Sequence, residues 1–89
     1  MKANEFYFRV EHFEQFDDVF IFEPIYSVEE LDFLYGDREE DEWDELENII
    51  VDNELPIDRL TDDTYEPATG YDIQEIKKTL IDFGFKEKK

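Results

Sequence analysis

In Phe6-Tyr7-Phe8-Arg9-Val10-Glu11-His12-Phe13, the apolar Phe6, Phe8 and Val10 alternate with Tyr7, Arg9 and Glu11. That is the period of two of a half-buried strand. A polar loop follows over residues 14–18, and residues 19–25 (Val-Phe-Ile-Phe-Glu-Pro-Ile) are again rich in β-branched and aromatic side chains. Pro24 suits the end or edge of such a strand. The two runs are expected to pair as an antiparallel hairpin.

Downstream the apolar period changes from two to three and four. Ser27 and Glu30 have capping-box spacing, Val28, Leu31, Leu34 and Tyr35 share one helical face, and Gly36 stands where a C-terminal glycine belongs. Asp37 and Glu40 repeat that spacing ahead of Trp43, Leu46 and Ile50, which predicts a longer helix from about residue 37 to 53, closed by Pro56. Residues 55–71 hold Pro56, Pro67 and Gly70 without a sustained period and read as a loop with one short extended piece near Tyr65. Asp72 and Glu75 open a last helix, whose stripe Ile73, Ile76, Leu80 and Phe83 ends at Gly84. The expected fold is α+β: a small antiparallel sheet built on the N-terminal hairpin, with about three packed helices.

The 89 residues give room for one domain, residues 1–89, and exclude a multidomain enzyme. With no cysteine there is no disulfide framework, thiolate nucleophile or usual zinc knuckle, and a reducing cytoplasm is the expected setting. The longest apolar runs, at residues 19–22 and 49–51, fall far short of the roughly 20 residues of a membrane span, and no signal-peptide apolar region is present. Fifteen aromatics supply the burial that a net charge of -18 would otherwise deny a folded core.

That charge is segregated. Residues 1–76 carry 25 acids and four bases, whereas residues 77–89 carry Lys77, Lys78, Lys86, Lys88 and Lys89 against Asp82 and Glu87, and residues 84–89 read as a short basic tail. The densest block, residues 37–47, has eight acids in eleven positions with Arg38 as its one base. If Trp43, Leu46 and Ile50 face the core, helical angles place Asp37, Asp41, Asp44, Glu45 and Asp52 outward, with Glu40 and Glu42 at the margins. Asp37 with Asp41, Asp41 with Glu45, and Glu40 with Asp44 are then like-charge pairs, each costing roughly 0.2–0.5 kcal/mol. Helix stability alone would not select them. Eight carboxylates over about 16 Å of helix give about one per 2 Å, close to the roughly 1.7 Å axial charge spacing of B-DNA. Asp58, Asp62, Asp63 and Glu66 in the loop form a second acidic group.

Chemical motifs are weak beside this charge. Pro56, Asp58, Glu75 and Lys77 formally match the proline, acid and acid-x-lysine pattern of metal-dependent restriction-type nucleases, but the acid-x-lysine element falls in an amphipathic helix rather than a core strand. Neither residues 37–48 nor 62–73 place Gly at the sixth and Glu at the twelfth position of an EF-hand loop, so no metal site is expected. The only serine, Ser27, lacks the Asp-Ser-Leu context of an acyl carrier protein. His12 reads as a strand residue without a catalytic partner, and Trp43 as a packing residue by its spacing with Leu46 and Ile50. Three glycines form no phosphate loop, and no enzyme activity or cofactor is expected.

A surface that repels nucleic acid attracts the proteins that bind it. In size, acidity and aromatic content the chain resembles the small DNA-mimic inhibitors of phages and mobile elements: anti-restriction proteins, uracil-glycosylase inhibitors and several anti-CRISPR proteins. The resemblance covers composition over the full length. It implies an inhibitor acting in the host cytoplasm that occupies the basic channel of a nuclease or other nucleic-acid-binding protein, through Asp37, Glu40, Asp41, Glu42, Asp44, Glu45 and Asp52, with Asp58, Asp62, Asp63 and Glu66 as secondary contacts. Neither direct nucleic-acid binding nor a membrane partner is expected. The alternatives are an immunity protein or antitoxin against a cationic nuclease toxin, and a phage regulator of host transcription machinery.

Overall fold

The computed structural model describes residues 1–15, 18–36 and 40–88 and has an α+β architecture. After a 3₁₀ turn at Ala3–Glu5 come β1 (Phe6–His12), β2 (Asp18–Pro24), α1 (Val28–Tyr35), α2 (Glu42–Asp52), β3 (Ile57–Arg59), β4 (Thr64–Pro67), α3 (Ile73–Phe83) and β5 (Lys86–Glu87). The five strands form one sheet in the order β3-β4-β2-β1-β5. β1 and β2 make the expected antiparallel hairpin, with Phe8 opposite Phe22 and Val10 opposite Phe20.

The remaining strands go beyond the sequence reading. Residues 55–71 contain a β3–β4 hairpin rather than a loop with one extended piece, with Asp58 opposite Glu66 and Tyr65 opposite Phe20. β5 runs parallel to β1, pairing Lys86 with Tyr7, so the sheet is mixed and Lys86 and Glu87 of the expected basic tail belong to a strand. Three-residue and two-residue strands carry no period of their own. They form because their backbone groups find partners on strands already in place.

Register sorts the side chains. Phe6, Phe8, Phe20, Phe22 and Tyr65 share one face, and Leu46, Ile50, Ile76 and Leu80 of α2 and α3 join them in a single buried cluster. Phe22 is the hub: Tyr65 meets it edge-on at 5.4 Å and Phe85 at 5.3 Å, the preferred aromatic geometry. Phe85 reaches the core because Gly84 turns the chain at φ 126°, where a side chain is strained. The same turn lays β5 beside β1.

α1 keeps its predicted ends. The Glu30 N–H donates to Ser27 Oγ at 3.2 Å, and Gly36 takes φ 64°. Its predicted apolar face is corrected: only Leu31 is buried, while Val28, Leu34 and Tyr35 are exposed. α2 starts at Glu42, not at Asp37, which lies outside the described residues. Asp41 is extended and accepts from the Asp44 N–H at 2.9 Å, so it is the cap, and a helix cannot continue through a capping residue. In α3 the stripe of Ile76 and Leu80 is buried and Ile73 partly so, while Phe83 lies exposed at the rim, stacked on Phe85 at 6.1 Å. Among the described residues, no helix is long and apolar enough to cross a membrane.

Candidate functional site

Helix α2 turns Leu46 and Ile50 into the core, and Trp43 and Ile49 pack against it half-buried. The opposite side therefore exposes Asp44, Asn48, Val51 and Asp52, with the cap Asp41 in line. Glu40, just before the cap, is exposed and accepts from Asn48 Nδ2 at 2.7 Å. Two residues depart from the expected placement. Glu42 is half-buried, and Glu45 is 25 % exposed with Oε1 3.1 Å from the N-terminal ammonium, turned toward the 3₁₀ segment rather than outward. The outer row is thus Asp41, Asp44 and Asp52, broken by Asn48 and Val51. Its carboxylates step along the axis by about 4.5 and then about 12 Å, coarser than the spacing obtained by counting all eight acids.

Sequence spacing offered no reason to look at Glu47 and Arg59, twelve residues apart. The Arg59 guanidinium bonds Glu47 through Nη1 and Asp62 through Nη2, the latter at 2.6 Å, and its Nε donates to the Thr61 carbonyl at 3.2 Å. This clasp fastens α2 to the β3–β4 turn. The secondary candidates therefore divide by role. Asp62 belongs to the clasp. Asp63 is half-buried and organises the turn, accepting from Thr61 Oγ1 and Thr64 Oγ1 at 3.0 Å each. Asp58 and Glu66 stand directly opposite each other on the sheet face away from Ile57 and Tyr65, a like-charge pair that destabilises strand pairing. Acidity thus wraps around the β3 edge, from the outer row of α2 to the far side of the sheet.

The charge reaches inward at Tyr65. Burial first, then the Glu47 and Asp62 carboxylates, push its phenol up to about 12, against an opposing pull from Arg59. Its hydroxyl is buried with no hydrogen-bond partner among the described residues.

Three further bases pair with acids away from the outer row of α2. Arg9 Nε lies 2.7 Å from Glu11, Lys77 Nζ 2.8 Å from Glu87, and Lys88 bonds Glu23 while lying 6.0 Å over the Tyr7 ring. Among the described residues no base pairs with Asp44, Asp52, Asp58 or Glu66. His12 is exposed on β1, with Nδ1 3.3 Å from Asp18. Among the described residues, no group of three or more His, Asp or Glu side chains could hold a metal ion. No protein-family model, curated protein or solved structure matches this chain.

Proposed function

We propose that the protein is a nucleic-acid mimic that inhibits a host nuclease or other nucleic-acid-binding protein, in the manner of an anti-restriction or anti-CRISPR protein, by lodging its carboxylates in a basic channel. The observation that carries this reading is the placement of charge. Arg9, Arg59, Lys77 and Lys88 pair with acids of the sheet and the clasp, and Asp41, Asp44, Asp52, Asp58 and Glu66 lie along the α2–β3 edge as an acidic rim. Carboxylates held on a helix and a sheet edge are pre-positioned, so binding Arg and Lys costs little reorganisation. Long-range attraction from a net charge of -18 steers the encounter.

The test combines capture with displacement. A tagged wild-type protein is used to capture partners from host lysate, with the Asp44→Lys/Asp52→Lys variant as the matched control, and the captured protein is then purified with labelled nucleic acid bound. Wild-type protein should release that nucleic acid, without binding duplex DNA itself at physiological salt. The double variant should need at least about tenfold more protein for equal release, the change expected from replacing attraction by repulsion. A partner that keeps its nucleic acid, or a double variant as potent as wild type, would overturn the proposal. Capture of a toxin nuclease would transfer the same surface to an immunity role.

A further inference from the structure

Helix α1 is out of keeping with a protein so rich in carboxylates. Phe33 is 89 % exposed, and Leu34 at 52 % and Val28 at 61 % are exposed on the same short helix. With Leu31 as its buried residue, α1 turns Phe33 almost directly away from the core, since two positions on a helix differ by about 200°. Between Tyr26, Glu30, Phe33 and Leu34 lies a shallow depression. Solvent exposure of one large aromatic is ordinary; here Phe33 and Leu34 together line one depression on the outer side of a helix bonded at both ends. Ser27 caps the start of α1, and at its end the Tyr35 hydroxyl donates to Glu5 Oε2. Burial alone would raise the Glu5 carboxyl, but the bonds from Tyr35 and the Lys2 N–H hold it below its ordinary value, and the shared bond pushes Tyr35 up to about 12. Both ends of the helix that carries Phe33 are thus bonded in place by side chains.

Charge identifies what covers it. Residues 10–37 contain no Lys or Arg, and Glu29 and Glu30 line the same depression as Phe33 and Leu34. A second copy would bring another -18 against those acids, and an anionic membrane would meet the same repulsion. We infer that the outer side of α1 is a docking surface for a cationic amphipathic segment of a partner protein, with Phe33 and Leu34 packing against its apolar side chains and Glu29 and Glu30 meeting its flanking Lys or Arg. Interfaces of this kind concentrate affinity in a central aromatic residue ringed by polar groups. The surface is separate from the α2 rim, so it extends the contact a target can make beyond charge alone.

The experiment uses two fluorescent synthetic peptides of equal length and charge: a Lys-Leu peptide with Leu at i, i+3, i+4 and i+7 among Lys, the pattern of an amphipathic helix, and a Lys-Ser peptide with Ser at those same positions. At physiological salt the wild-type protein should bind the Lys-Leu peptide at least about tenfold more tightly than the Lys-Ser peptide. Phe33→Ser should erase that preference while leaving the charge-driven binding and the thermal midpoint unchanged, because Phe33 buries almost nothing in the fold. Phe33→Trp should preserve it. Ile81→Ser, at an exposed apolar position on α3, should leave it intact, and so should Asp44→Lys/Asp52→Lys. Equal affinity of wild type for the two peptides, or a preference that survives Phe33→Ser, would overturn the inference. So would sedimentation showing a dimer that Phe33→Ser dissolves, or vesicle binding that Phe33→Ser abolishes. None of these results bears on nucleic-acid displacement by the α2 rim, so the two proposals fail separately.

Discussion

Helices α2 and α3 have the same length and the same inward chemistry, but opposite outward chemistry. Each spans eleven residues and buries two aliphatic side chains four apart, Leu46 and Ile50 in one, Ile76 and Leu80 in the other, in one shared cluster. Beyond that pair, α2 carries Glu42, Asp44, Glu45, Glu47 and Asp52 and no base of its own, with Asp44 and Asp52 facing outward, whereas α3 sets Lys77 and Lys78 against Glu75 and Asp82. α2 is clasped to the β3–β4 turn through Arg59, and α3 is joined to β5 through Lys77 and Glu87. The core needs only the buried pair. The difference therefore isolates what folding does not require, and the outward Asp44 and Asp52 of α2 are where a function by charge is to be sought.

The largest effect should be common to both helices. Leu46→Ala and Leu80→Ala each remove a fully buried side chain and should each cost about 2–5 kcal/mol in urea unfolding, through lost burial and the cavity left behind. A much smaller loss for Leu46→Ala would break the comparison, because α2 would then contribute charge without contributing core.

The caps should separate the helices by less. Asp41 accepts from the Asp44 N–H at 2.9 Å, whereas Asp72, at the start of α3, makes no side-chain capping bond. Asp41→Ala is expected to cost about 0.5–2 kcal/mol, and Asp72→Ala clearly less, in matched melts. Equal losses would mean that proximity to the helix dipole, not the hydrogen bond, is what both aspartates supply.

The smallest effect concerns how far the acidic side of the molecule reaches inward. Tyr65→Phe removes a buried hydroxyl that has no partner among the described residues, and stability should hold or rise by up to about 1 kcal/mol. The folded phenol value of about 12 lies above the ordinary 10.0. The neutral ring's contribution is therefore complete below pH 10 and lost as pH rises toward 12, and the advantage of Tyr65→Phe should widen across that window. Paired melts at pH 8, 10 and 11.5 measure it. A constant difference would show that Tyr65 ionises alike in the folded and unfolded chains.

What was legible in the sequence was local. The alternation of Phe6, Phe8 and Val10 signals β1, the spacing of Leu46 with Ile50 and of Ile76 with Leu80 marks two buried stripes, and Ser27, Gly36 and Gly84 mark helix ends. Each signal lies within a few residues, because strand and helix periods and capping bonds are short-range. The acidic block was equally plain, and so was its excess over what a helix needs.

Tertiary structure alone decided which acids remain available and which apolar residues stay uncovered. Glu45 meets an ammonium 44 positions away, Glu47 meets Arg59 across the α2–β3 connection, and Lys88 reaches Glu23 from 65 positions away. The short strands β3 and β5 form only where neighbouring strands offer free backbone groups. Helical spacing likewise groups Val28, Leu31, Leu34 and Tyr35 on one side of α1 without stating how much of that side another element covers, and only Leu31 is buried. Amphipathic pattern defines a direction, but burial requires a partner surface, and that surface is assembled from residues distant in the chain.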